Sequence, residues 1–115
     1  HCISSAASDV YKRQVQYNGR HLREGLSRLT GRYGQGEVRG HGLLWALQLK
    51  ENLARELVAA ALHEGLLLNA PQVDVVRFSP ALTVSKGNID EMLLRLARAF
   101  ARLHAQQQAR REMPA

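Results

Sequence analysis

Val15, Leu22, Leu26 and Leu29 recur at helical spacing, while Arg20, Arg23, Glu24 and Arg28 mostly occupy the other face. This pattern predicts an amphipathic helix from Val15. Gly19 and Gly25 weaken it by about 1 kcal/mol each relative to Ala, so it leans on tertiary packing. Gly31, Gly34 and Gly36 end it in a loop. In residues 38–49, Leu43, Trp45, Leu47 and Leu49 alternate with Leu44, Ala46 and Gln48. Both sets are largely apolar, which predicts a strand covered on both faces. Gly40 and Gly42 just before it predict a bulge or a close backbone approach.

Residues 51–64 read as a second helix. Leu53, Leu57 and Ala61 lie beside Ala54, Val58 and Leu62 in a broad apolar stripe, and Gly65 is placed for a left-handed cap. Residues 66–69 form a short apolar strand, 70–74 a turn containing Pro71, and 75–79 a second strand ended by Pro80. So short a separation favours an antiparallel hairpin. In the last helix, Asn88 and Glu91 have capping-box spacing. Ile89, Met92, Leu93, Leu96, Ala97, Phe100 and Leu103 line one face, and a polar tail over 106–115 frays. The order is helix, strand, helix, strand, strand, helix. It predicts an α+β fold: a small two-layer sandwich over 15–105, with a short mixed or antiparallel sheet packed by helices.

Residues 1–14, HCISSAASDVYKRQ, carry neither periodicity nor the basic start and apolar run of a signal peptide. The string SSAASDVYKRQ resembles translated sequencing-adapter sequence. The expectation is a non-native, disordered leader. Without it Asp9, Lys12 and Arg13 are lost, and the formal charge falls from +6 (16 basic against 10 acidic) to +5 (14 against 9).

At 45% apolar and 23% charged, the 115 residues exclude a wholly disordered chain. No apolar run approaches the roughly 18 residues of a membrane helix, so no membrane partner is expected. The single Cys2 excludes a disulfide framework and a multi-cysteine zinc site. His21, His63 and His104 lack metal-ligand spacing, and Ser79 and Ser85 lack a nucleophile-elbow context. The positive charge permits a second reading, a stand-alone basic α+β module for RNA or an acidic protein. Against nucleic acid, the arginines are joined neither to aromatics nor to a binding motif. Of the 16 basic residues only Lys12, Lys50 and Lys86 are lysines.

Three segments in register, VRGHGLLWALQL (38–49), HEGLLLNA (63–70) and VVRFSPALTVSKGNIDEML (75–93), resemble the C-terminal domain of class III aminotransferases. The acetylornithine and ornithine aminotransferase branch is the nearest, and the resemblance covers about 15–105. It implies cytoplasmic homodimers of fold-type I that depend on pyridoxal phosphate and pass an amino group to 2-oxoglutarate. A large domain would hold the cofactor on a lysine, and the small domain would cap the active site. None of the three lysines matches that role. The resemblance therefore implies a fragment that lacks the catalytic lysine, has no cofactor-binding or metal residues of its own, and is inactive alone.

The resemblance assigns one site residue. Arg77, in VVRFSP, would bind the substrate α-carboxylate, and a planar guanidinium suits that task. Its neighbours Val75, Val76 and Phe78 predict apolar surroundings; the alternative is an arginine at the sheet edge with its head in water. Arg39, Gly40 and Gly42 belong to a motif whose implied role is structural. His41 between them falls at a variable position.

Overall fold

The computed structural model describes residues 2–42, 44–83 and 85–113. Helix α1 (Cys2–Tyr33) leads into strands β1 (Glu37–His41) and β2 (Leu44–Gln48), then helix α2 (Ala54–His63). Strands β3 (Asn69–Gln72) and β4 (Val75–Phe78) follow, then a 3-10 turn (Pro80–Thr83) and helix α3 (Lys86–Glu112). The sheet is wholly antiparallel, in the order β1-β2-β4-β3. The expected α+β sandwich is present: three helices cover one face of a four-stranded sheet, and the other face is open.

The core sits between the layers. From the sheet come Trp45, Leu47, Val76 and Phe78; from the helices come Leu22 and Leu26, Leu57 and Ala61, and Ile89, Met92, Leu96, Phe100 and Leu103. The Tyr33 ring stacks on Phe100 with centroids 5.4 Å apart. At the end of α2, Gly65 takes φ +77° while Leu66 N–H bonds Ala61 C=O and Gly65 N–H bonds Leu62 C=O. That is the Schellman arrangement, so the expected glycine cap is present.

Several expectations are corrected. Helix α1 begins at Cys2, far ahead of Val15, so the stretch expected to be disordered is helical. No Pro or Gly precedes Gly19, and adding a turn to an existing helix needs no new nucleus. Gly19 and Gly25 do more than weaken α1. A Cβ at Gly19 would stand 3.2 Å from the Trp45 ring, and one at Gly25 would overlap Leu93. The absent side chains let α1 lie close on β2 and α3.

Residues 37–41 form an additional strand, because Gly42 (φ +62°) turns the chain back into β2 as a hairpin. Gly40 lies in regular pairing, without a bulge; the close approach is to the Trp45 ring. Strand β2 is covered on one face only: Trp45 and Leu47 are buried, while Leu44 is 70% exposed. Leu43, read as part of this strand, lies outside the described residues. Leu62 of α2 faces solvent, and Ala60 is buried in its place.

Pro71 lies within β3, where the register with β4 is irregular, and the turn falls at residues 73–74. An edge strand tolerates the missing N–H. Helix α3 is capped by Ser85, whose Oγ accepts from Asn88 N–H at 3.1 Å; Glu91 instead pairs with Arg95. The tail remains helical to Glu112.

Candidate substrate-carboxylate site

Alternation along the strands divides the sheet into rows. Gly40, Trp45 and Phe78 form one row, and Val38, Leu47 and Val76 another, both against the helices. The rows between them face outward. One runs Arg39, Ala46, Arg77, Asn69 across all four strands. The other runs Glu37, Gln48, Val75, Gln72.

Arg77 therefore stands on the open face, and it is exposed. The expected apolar surroundings are only partly there: Val76 and Phe78 point away from it into the core, and Val75 shares its face. Nor is it at an edge: β4 is bonded to β2 on one side and to β3 on the other. An inner strand fixes its backbone while leaving the head free. Among the described residues, neither the Arg77 nor the Arg39 side chain makes a hydrogen bond or ion pair. Other arginines are engaged. Arg95 bonds Glu91 and the Gly65 carbonyl, and Arg102 bonds Glu64 at 2.9 Å. Arg23 donates to the Gly40 carbonyl and lies 5.1 Å from the Trp45 ring. The guanidinium heads of Arg95 and Arg102 thus tie α3 to the end of α2.

The carboxylates near the open row are few. Asp74 is held by Gln48 Nε2 at 2.7 Å. Glu37 shares Arg39's strand and face, yet no ion pair joins them. With Ala46 between, the two arginines flank a gap with no large side chain. This arrangement suits an anion. Asn69, at the end of the row, places an amide beside Arg77. Sequence reasoning passed over Asn69, since a lone Asn carries no pattern; its cross-strand register marks it.

A separate cavity of about 540 Å³ lies between α1 and the β1–β2 hairpin. Lys12, Arg20, Arg23, His41 and Trp45 are among its walls, and no carboxylate among the described residues lines it. His41 is exposed there and has no hydrogen-bond partner among the described residues. Among those residues no group of histidine, cysteine and acidic side chains is arranged to hold a metal, and no helix is long and apolar enough to cross a membrane.

The family model described as aminotransferase class-III matches residues 2–100. An acetylornithine aminotransferase of Thermosynechococcus vestitus is 46% identical over 96 residues, 79% of this chain and 23% of that protein. One of Ralstonia nicotianae is 44% identical over 82 residues, 69% of this chain and 21% of that protein. Among solved structures, an N-acetylornithine aminotransferase of Stenotrophomonas maltophilia superposes with a TM-score of 0.75 at 32% identity, over 82% of this chain and 27% of that one. The chain thus spans about a fifth to a quarter of the length of the relatives it matches. A match over so much of the sequence, with the same fold beneath it, makes the chain a member of the class III aminotransferase family.

Proposed function

We propose that this chain is the small domain that caps the active site of a pyridoxal-phosphate-dependent aminotransferase. The enzyme would take an amino group from an acetylornithine- or ornithine-like donor and pass it to 2-oxoglutarate, as a cytoplasmic homodimer. Arg77 holds the α-carboxylate. One observation carries this reading: Arg77 is a guanidinium without a partner among the described residues, fixed on an inner strand and pointing out of the open face. The names of the relatives supply the donor class.

The cofactor, when bound, acts as an electron sink for the amino group's carbon. The residues present do not fit it. Lys50 and Lys86 are exposed and lie in no described cavity. Lys12 borders the cavity by α1, but no carboxylate there could pair with a pyridinium nitrogen. The cofactor and the catalytic lysine therefore belong to the large domain in this proposal, and the chain alone is inactive. What its own residues do is bind and orient. The Arg77 fork donates to both carboxylate oxygens in one plane, and this fixes the rotation of the substrate.

The test uses the enzyme that carries this domain. Arg77→Ala is expected to raise KM for the donor or for 2-oxoglutarate by about 10- to 100-fold, the range for a lost charged hydrogen-bonding group. Arg77→Lys keeps the charge but loses the fork and should recover only part. Unchanged KM in both variants would remove Arg77 from the site.

A further inference from the structure

We propose that the cavity between α1 and the β1–β2 hairpin is a binding site for a short phosphoanhydride chain, a di- or triphosphate. Its sheet wall is the Gly40–Trp45 pair, whose row faces the helices, so it lies on the other side of the sheet from Arg77. It does not depend on the role given to that residue.

Helical spacing builds the cationic wall. Lys12, Arg20 and Arg23 stand at i, i+8 and i+11, within about 80° of one another around α1, and all three line the cavity. At about 1.5 Å of rise per residue they span roughly 16 Å of helix. Arg23 is anchored: it donates to the Gly40 carbonyl at 3.0 Å and lies 5.1 Å from the Trp45 ring centroid. Its charge is fixed before any ligand arrives. The Lys12 and Arg20 side chains make no hydrogen bond or ion pair among the described residues. Of the acids on or against this stretch of α1, Asp90 pairs with His21, and Asp9 and Glu24 stand outside the lining. Like charges on one wall repel, and a polyanion removes that repulsion where a monoanion leaves two cations unmatched. Phosphates joined through shared oxygens carry charge along a line, which matches cations strung along a helix, and both lysine and arginine grip phosphate. A volume of about 540 Å³ is of ligand size. Beyond Arg23 the next basic residue of α1, Arg28, turns away to line a groove against Leu93 and Leu94. The row therefore ends with the cavity, which suits a short chain and not a running nucleic-acid backbone.

Trp45 is the sole tryptophan of the 115-residue chain, and its indole Nε1–H, bonded to the Gly42 carbonyl in the cavity wall, gives one assignable NMR resonance. That resonance and the Nε–H resonances of Arg20 and Arg23 can be followed at low ionic strength, with orthophosphate and inorganic tripolyphosphate as probes. Tripolyphosphate is expected to shift all three and to bind at least about tenfold more tightly than orthophosphate, the gain of a further charge-assisted contact. Arg20→Gln and Lys12→Gln, both at exposed positions, should each remove most of that advantage while the indole resonance of the free chain stays in place. ATP distinguishes the sources of the chain. Tyr11, 58% exposed in the lining, can stack on a base. Tighter binding of ATP that Tyr11→Ala abolishes marks a nucleoside triphosphate site; equal binding of the two marks a site for the inorganic chain. Equal affinity for orthophosphate and tripolyphosphate, an advantage untouched by both substitutions, or displacement of tripolyphosphate by an oligouridylate at equal phosphate concentration would overturn the proposal. None of these results bears on Arg77.

Discussion

The Trp45 indole lies against its cross-strand partner Gly40 so closely that a Cβ at residue 40 would overlap the ring. On the α1 side, Gly19 meets the same ring, and the indole Nε1–H donates to the Gly42 carbonyl at 2.6 Å. The glycines of this hairpin are the space the tryptophan needs. Gly40→Ala should therefore destabilise the chain by about 1–3 kcal/mol, the usual range for overpacking. Gly31, a helical glycine with nothing near its missing Cβ, is the contrast. Gly31→Ala should stabilise by up to about 1 kcal/mol. Urea denaturation of both variants checks the opposite signs.

Ser85, not Asn88, caps α3. Ser85→Ala should cost about 0.5–2 kcal/mol. Asn88→Ala should cost less, because the bond to the cap comes from its backbone N–H, which the substitution keeps. Paired thermal melts that rank the two the other way would return the cap to Asn88.

Burial along α2 makes a third contrast. Leu57 is fully buried, whereas Leu62 is 60% exposed. Leu57→Ala should lose about 2–5 kcal/mol. Leu62→Ala should stay within about 0.5 kcal/mol of the parent. Chemical denaturation measures both.

The ion pair between Arg102 and Glu64 sets a pH dependence. The hydrogen bond from Arg102 is the main cause that holds the Glu64 carboxyl below its ordinary value. The unfolded chain then binds the proton more readily than the folded one. The contribution is thus fully present above the ordinary glutamate value and is lost as pH falls through the lower, folded value. Glu64→Gln should show a shallower loss of stability on acidification than the parent. Urea midpoints at neutral pH and near pH 3 compare the two slopes, and equal slopes would remove Glu64 from the effect.

Much of the fold was legible where burial imposes a period. The inner face of α3, from Ile89 to Leu103, and strand β4 follow directly from apolar spacing, whereas β3 forms at 69–72 rather than over the apolar run 66–69. Strand β1 was not legible, because in EVRGH only Val38 is a large apolar residue and Gly42 turns the chain without a conventional turn dipeptide. Ser85 and Asn88 both offer cap chemistry, and only the backbone angles decide between them. The start of α1 escaped because residues 8–14 are exposed and so have no period to read. As for the candidate site, the motif alone singles out Arg77. Its outward direction depends on which strand face the helices cover, and its alignment with Arg39 depends on register. Neither is written in local spacing.

The two rims of the sheet are unequal. Along β3, Pro71 lacks an N–H and the register with β4 slips, so that rim presents an interrupted row of donors and acceptors. Along β1 the pairing with β2 is regular, and the Gly40 carbonyl is taken by the Arg23 guanidinium. A further strand that extends this sheet would meet that guanidinium at β1 and a missing N–H at Pro71 of β3. Each edge is thus obstructed at one residue, by a side chain on one rim and by an imino acid on the other.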